Sequence, residues 1–123
     1  MNTEFTKGVV VPILAVIDSE ERIDEAGMRD QVDYVIEGGV SGILAFGSKG
    51  EFYMVEEDEM QWGLRIMVDQ AAGRVPVYFG IGAISTKKCC RLAKNGGGER
   101  CCGGQRSAAH VLKAHQNGTV QSL

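Results

Sequence analysis

The sequence predicts an α/β protein built on a parallel sheet. A strand-like apolar run is followed by a helix-like amphipathic segment three times, at intervals of about thirty residues, which is the pattern of right-handed crossover units. The strand-like runs are continuously apolar, without polar alternation, as strands covered on both faces require. Each of the last two runs ends in a glycine-containing polar turn. In parallel α/β proteins that end of the strand is where ligands bind, because the loop is free to vary while the strand is not.

Gly8 to Ile17 is β-branched and nearly all apolar, and is expected to be the first strand. Asp24 supplies an N-cap for a helix whose Met28, Val32, Val35 and Ile36 share one face and which Gly38-Gly39 ends. The run Ile43 to Phe46 is the second strand. Glu56, Glu57, Asp58 and Glu59 then place four carboxylates in a first helical turn, where the helix dipole favours them, ahead of an apolar stripe of Met60, Leu64, Met67, Val68 and Ala71. A metal site is the weaker reading of that acidic run. Val75 to Gly80 is the third strand, Gly82 to Thr86 a turn, and Ser85 or Thr86 caps a helix that carries Cys89, Leu92 and Ala93 inward. Gly80-Ile81-Gly82 invites a dinucleotide reading, but Ser85 stands where the third glycine belongs.

At 123 residues the chain makes one ordinary domain, and its net charge of -3, with no basic block, gives no reason to expect nucleic acid or an anionic membrane as partner. The first apolar run is too short for a membrane span and lacks the basic start of a signal peptide, so a cytoplasmic location is expected.

The stretch Gly39 to Tyr53 organises the rest. Its turn packs Gly47, Ser48, Lys49, Gly50 and Glu51 directly after the second strand. Glycines here can take positive φ and leave the intervening N–H groups pointing at an anion, or they can simply make a tight strand-to-helix turn. The spacing is not that of a P-loop, which needs four residues between its glycines and Lys-Ser/Thr after the second.

The order of GVVVPIL, the paired Gly38-Gly39 before Val40-Ser41-Gly42-Ile43, the turn Gly47-Ser48-Lys49-Gly50-Glu51, and Val75-Pro76-Val77 leading to Gly80-Ile81-Gly82 closely resembles the start of the dihydrodipicolinate synthase and N-acetylneuraminate lyase family, over residues 8–94. The resemblance implies the first three βα units of a (β/α)₈ barrel, usually assembled as a homotetramer. It implies a lyase that joins a lysine to a 2-oxo acid such as pyruvate as a Schiff base, whose protonated imine withdraws electrons from the adjacent carbon. It also assigns Ser48 as the catalytic and substrate-binding hydroxyl that passes a proton to and from a tyrosine, and Lys49 as the neighbour whose backbone N–H holds the substrate carboxylate. Lys49 departs from the commoner Thr, and its charge near an imine lysine would lower that lysine's pKa. Glu51 is the expected cap of the turn. No cofactor and no metal are assigned.

The family's Schiff-base lysine and catalytic tyrosine lie on later strands, and nothing in this chain corresponds to them. Lys87, Lys88 and Lys94 belong to the third helix. From Asn95 the apolar period collapses, so residues 1–94 are expected to be the N-terminal part of a lyase barrel and residues 95–123 an irregular tail. Cys89-Cys90, Cys101-Cys102, His110 and His115 supply zinc-ligand types, but adjacent cysteines are not zinc spacing, and a reducing cytoplasm disfavours a disulfide. An out-of-frame tail fits better. Read one nucleotide late with permitted codons, Asn95 to Gly103 becomes M-G-V-E-N-G-A-A-G, Gln105 to Ala108 becomes S-V-V-L, and Ala109 to His115 becomes P-M-F-L-K-P-T, the family's fourth unit. On this reading the chain alone turns over little or no 2-oxo acid, and its open sheet edges make it self-associate. The alternative is a non-catalytic fragment that docks on a full-length relative. The coding DNA decides the frame: after Lys94 the alternative frame is expected to run on into a second half-barrel, and early stop codons there would exclude it.

Overall fold

The computed structural model describes residues 7–81, 85–97, 109–114 and 120–122. Its order is β1 (Val10–Pro12), α1 (Glu25–Glu37), β2 (Gly42–Ala45), α2 (Glu57–Ala71), β3 (Val77–Gly80), α3 (Thr86–Gly97), β4 (Ala109–Ala114) and β5 (Val120–Ser122). The strands form one sheet in sequence order, with β1 to β4 parallel and β5 antiparallel to β4. Val11, Ile43 and Val77 fall in register, as do Pro12, Leu44 and Tyr78.

The three expected βα units are all present, with strands shorter than the apolar runs. β1 ends at Pro12, although the Ile13 N–H still donates to the Leu44 carbonyl at 3.1 Å. Beyond it the chain folds back. Asp18 Oδ1 accepts from the N–H groups of Glu20 and Arg22, and Ile17 bridges Ile23 in antiparallel fashion, so the end of the apolar run serves this turn and leaves the sheet. Asp24 caps α1 as expected, accepting from the N–H groups of Ala26 and Gly27 at 3.1 and 3.3 Å. Gly39, at φ 86, turns the chain out of the helix.

Met28 and Val32 of α1 and Met60, Leu64, Met67, Val68 and Ala71 of α2 are buried against Ile43, Ala45, Val77 and Phe79 on one face of the sheet. Each Val, Ile, Leu, Met or Phe side chain among them contributes about 1.5–3 kcal/mol by leaving water. Val35 and Ile36 pack at the margin of this core. Tyr78 is buried on the other face, over Gly42, where a Cβ would lie 2.6 Å from its ring; burial raises the phenol pKa.

The acidic start of α2 holds elements together. Glu59 Oε2 accepts the Ile23 N–H at 2.7 Å, and Glu57 pairs with Arg91 and Lys88 of α3. Ser85 caps α3, its Oγ accepting from the Lys88 N–H at 3.2 Å. Leu92 is buried as expected, whereas the side chains of Cys89 and Ala93 lie outside the described residues, as do Cys101, Cys102 and His115.

The last segment differs from the expected irregular tail. α3 runs on to Gly97, β4 pairs with the outer edge of β3, and β5 pairs with β4. An open parallel edge presents unpaired N–H and C=O groups to any segment that can extend, and AHVLKA is short and partly β-branched. The edge of β3 is therefore covered, while the outer edge of β1 has no strand beside it among the described residues. Among the described residues no helix is long and apolar enough to cross a membrane.

A polar network ties α1 to α2. Arg29 Nη1 donates to Asp69 at 2.7 Å and Gln70 at 3.0 Å, and Arg74 and Gln70 both donate to Asp33. The Arg74 guanidinium holds the Asp33 carboxyl below its ordinary value. A carboxylate depressed in the folded state stabilises the fold above its unfolded pKa and loses that contribution as pH falls through the folded value. Asp33→Asn is thus expected to lower the denaturation midpoint at neutral pH and to match the parent at pH values below the carboxylate range, measured by urea titration across pH.

Candidate functional site

The site begins with a residue in a conformation it disfavours. Phe46 leaves β2 at φ 52, in the left-handed region, and is fully buried. For a bulky residue this costs about 1–3 kcal/mol, so it persists only where the surroundings fix it. Three contacts do so. The ring meets Phe79 edge-on at 6.1 Å and 87°. It lies against Gly63 of α2, where a Cβ would stand 2.7 Å from the ring. Its carbonyl crosses Gly80 of β3, where a Cβ would approach the Phe46 and Ala45 carbonyls to 2.9 and 3.1 Å.

The turn that follows inherits this position. Ser48–Gly50 form one 3₁₀ turn, with the Gly50 N–H donating to Gly47 O at 3.0 Å and the Glu51 N–H to Ser48 O at 3.2 Å. Phe52–Met54 form a second, which leads into α2. Gly50 is buried beneath β1, where a Cβ would lie 3.1 Å from the Ile13 carbonyl. The turn is thereby fixed by β1, β3 and α2 together.

Ser48 and Lys49 are exposed at the carboxyl end of the parallel sheet, side by side in sequence on this fixed turn. Neither the Ser48 hydroxyl nor the Lys49 ammonium has a hydrogen-bond or ion-pair partner among the described residues, and no backbone acceptor meets their N–H groups. The turn thus carries a hydroxyl, an ammonium and two N–H donors at the carboxyl end of the sheet. That set suits an anion with an oxygen to protonate or deprotonate beside it.

Two details differ from the sequence reading. Neither Gly47, at φ -76, nor Gly50 takes positive φ; the left-handed residues are Phe46 and Glu51, because the backbone makes a helical turn in place of an open glycine nest. Glu51 does cap the turn, but through its backbone at φ 48 and ψ 43, with its carboxylate exposed and making no capping hydrogen bond. The sequence reading missed Phe46 as the anchor and took it as the last strand residue. The available signal was Gly63, a glycine inside an apolar helix stripe, which marks a close approach. Gly82, Ala83 and Ile84 of the Gly80-Ile81-Gly82 turn lie outside the described residues. Among the described residues no three His, Cys, Asp or Glu side chains gather as a metal site, and Cys90 is free and exposed.

Residues 5–102 match the model of the dihydrodipicolinate synthetase family. The chain belongs to that family. The 4-hydroxy-tetrahydrodipicolinate synthase of Methylococcus capsulatus is 37% identical over 98 residues, which cover 77% of this chain and 34% of that protein. The synthase of Pseudomonas aeruginosa is 34% identical over 97 residues, 76% of this chain and 33% of its own length. Among solved structures, the family member YagE from E. coli K12, in complex with pyruvate, has a TM-score of 0.68 at 27% identity and covers 72% of this chain and 30% of its own. N-acetylneuraminate lyase from Mycoplasma synoviae has a TM-score of 0.70 at 25% identity, over 76% of this chain and 33% of that one. These family enzymes are (β/α)₈ barrels, and the three βα units seen here are the corresponding N-terminal part. The chain spans about a third of the length of the curated relatives it matches.

The packing at Gly80 yields a test. Gly80→Ala forces its Cβ against backbone that cannot step aside, and is expected to cost about 1–3 kcal/mol in denaturant titration. It should also speed amide exchange at Gly50 and Glu51, whose turn depends on the Phe46 carbonyl position.

Proposed function

We propose that this chain carries the carboxylate-binding and proton-relay side of a Schiff-base lyase acting on pyruvate or a related 2-oxo acid. The observation that supports it best is the fixed Ser48-Lys49 turn, exposed at the carboxyl end of β2 with donors that have no partner among the described residues, in a family of lyases. The N–H groups of the turn hold the substrate carboxylate, and the Ser48 hydroxyl passes a proton to and from the reacting carbonyl through a tyrosine. A lysine amine attacks the 2-oxo carbon, water departs, and the resulting iminium draws electrons from the neighbouring carbon, so a carbon–carbon bond is made or broken there.

The imine lysine belongs to the part of the barrel beyond these units. Lys87, Lys88 and Lys94 lie exposed on α3, and Lys88 is within 3.4 Å of Glu57. None of them is on a strand facing Ser48. Residues 1–94 are the lyase part and residues 95–123 follow out of frame, so the chain by itself is inactive. YagE is described with pyruvate bound, which supports a 2-oxo acid as the ligand class.

The test joins residues 1–94 to the remaining barrel of the Methylococcus capsulatus relative. Borohydride with pyruvate is expected to trap a covalent adduct on the hybrid and none on the present chain alone. Ser48→Ala in the hybrid should lower kcat by about 10²–10⁴-fold with a small change in KM, the size of a lost proton-transfer group. A hybrid that turns over equally well without the hydroxyl would refute the relay, and an adduct on the present chain would refute its inactivity.

A further inference from the structure

We propose that the chain pairs with a second copy of itself through the outer edge of β1, extending the sheet antiparallel across a two-fold axis, with Val10 of each copy opposite Val10 of the other.

Hydrogen bonds on the inner side of β1 define that edge. The Ile13 N–H donates to the Leu44 carbonyl at 3.1 Å and the Val9 carbonyl accepts the Ser41 N–H at 2.8 Å, so residues 9, 11 and 13 turn their backbone groups toward β2. By the two-residue period of a strand, Val10 and Pro12 turn theirs outward, where no strand lies among the described residues. The far edge of the sheet is β5, three residues that include polar Gln121 and Ser122, and a short polar strand blunts an edge.

Pro12 selects the register. It has no N–H, so on the outer edge it can only accept. Opposite another Pro12 it makes no bond, and opposite Val10 it leaves the Val10 carbonyl without a donor. With Val10 opposite Val10, each donates to and accepts from the other. The same register sets Val9 of one copy opposite Val11 of the second on the face that the helices cover. Val9 is 64% exposed in the single chain and Val11 packs at the margin of the core, so an exposed β-branched side chain gains a β-branched neighbour.

The helix above the edge fits the same occupant. α1 turns Arg29 and Asp33 toward α2. At about 100° per residue its opposite flank, which lies on the β1 side, carries Gly27, Gln31 and Tyr34. That flank is uncharged, although the helix also holds Glu25, Arg29, Asp30, Asp33 and Glu37, and residues 9–14 below it are uncharged too. Tyr34 is 78% exposed there. A surface that meets its own copy sets like against like, so charge on it would repel and neutrality is what a two-fold contact needs. The axis stands perpendicular to the sheet, which brings the second α1 to the same face and the two Tyr34 flanks together over the seam. Such a contact closes on itself as a dimer.

Light scattering on the full chain is expected to give a dimer. In a sample mixed from differently labelled copies, a nuclear Overhauser contact should join Val9 of one copy to Val11 of the other, and the Val10 amide should exchange slowly. Val9→Lys sets a charge against the seam at a position that a single copy leaves in solvent, and is expected to yield a monomer with an unchanged circular dichroism spectrum. Val10→Pro removes the outward N–H, which β1 does not spend on β2, and should also abolish the dimer. A parent chain that stays monomeric at NMR concentrations, one that grows into longer assemblies, or a dimer that survives both substitutions would overturn the proposal. Should a variant unfold, the intercopy contact in the parent decides, and its absence overturns the proposal as well.

Discussion

A buried phenylalanine held in a left-handed backbone conformation decides where the turn after β2 sits. Phe46 follows β2 at φ 52, and its ring packs into the core beside Gly63 and Phe79. Burying an aromatic ring gains roughly as much as the strained conformation costs, so neither term alone would define the turn. What tips the balance is space. Gly63 and Gly80 remove the two Cβ atoms that would collide with the ring and with the carbonyl, and Gly50 lets the next residues pass beneath Ile13. Two glycines on two elements thus make room for Phe46 and a third seats the turn that carries Ser48 and Lys49.

The fold was legible because burial on both faces leaves an unambiguous mark. Continuous apolar strands, an acidic first turn on α2 and a capped α1 are local patterns, and each appears where the residues place it. The strand ends were less legible, since they depend on hydrogen-bond partners elsewhere in the sheet: the apolar run after Pro12 continues in sequence but spends its backbone on the Asp18 turn. The pairing of β4 with β3 was not legible at all, because an edge recruits a strand by its own unpaired groups and asks little of the recruited sequence.

At the candidate site the turn was legible and the way it is held in place was not. The sequence leaves its glycines open to two readings, a positive-φ nest or a tight strand-to-helix turn. The structure uses its glycines for clearance, with the unusual dihedrals falling on Phe46 and Glu51. Clearance depends on a neighbour distant in sequence, so periodicity cannot reveal it. An isolated glycine in the middle of an otherwise continuous apolar stripe, such as Gly63, is the trace it leaves.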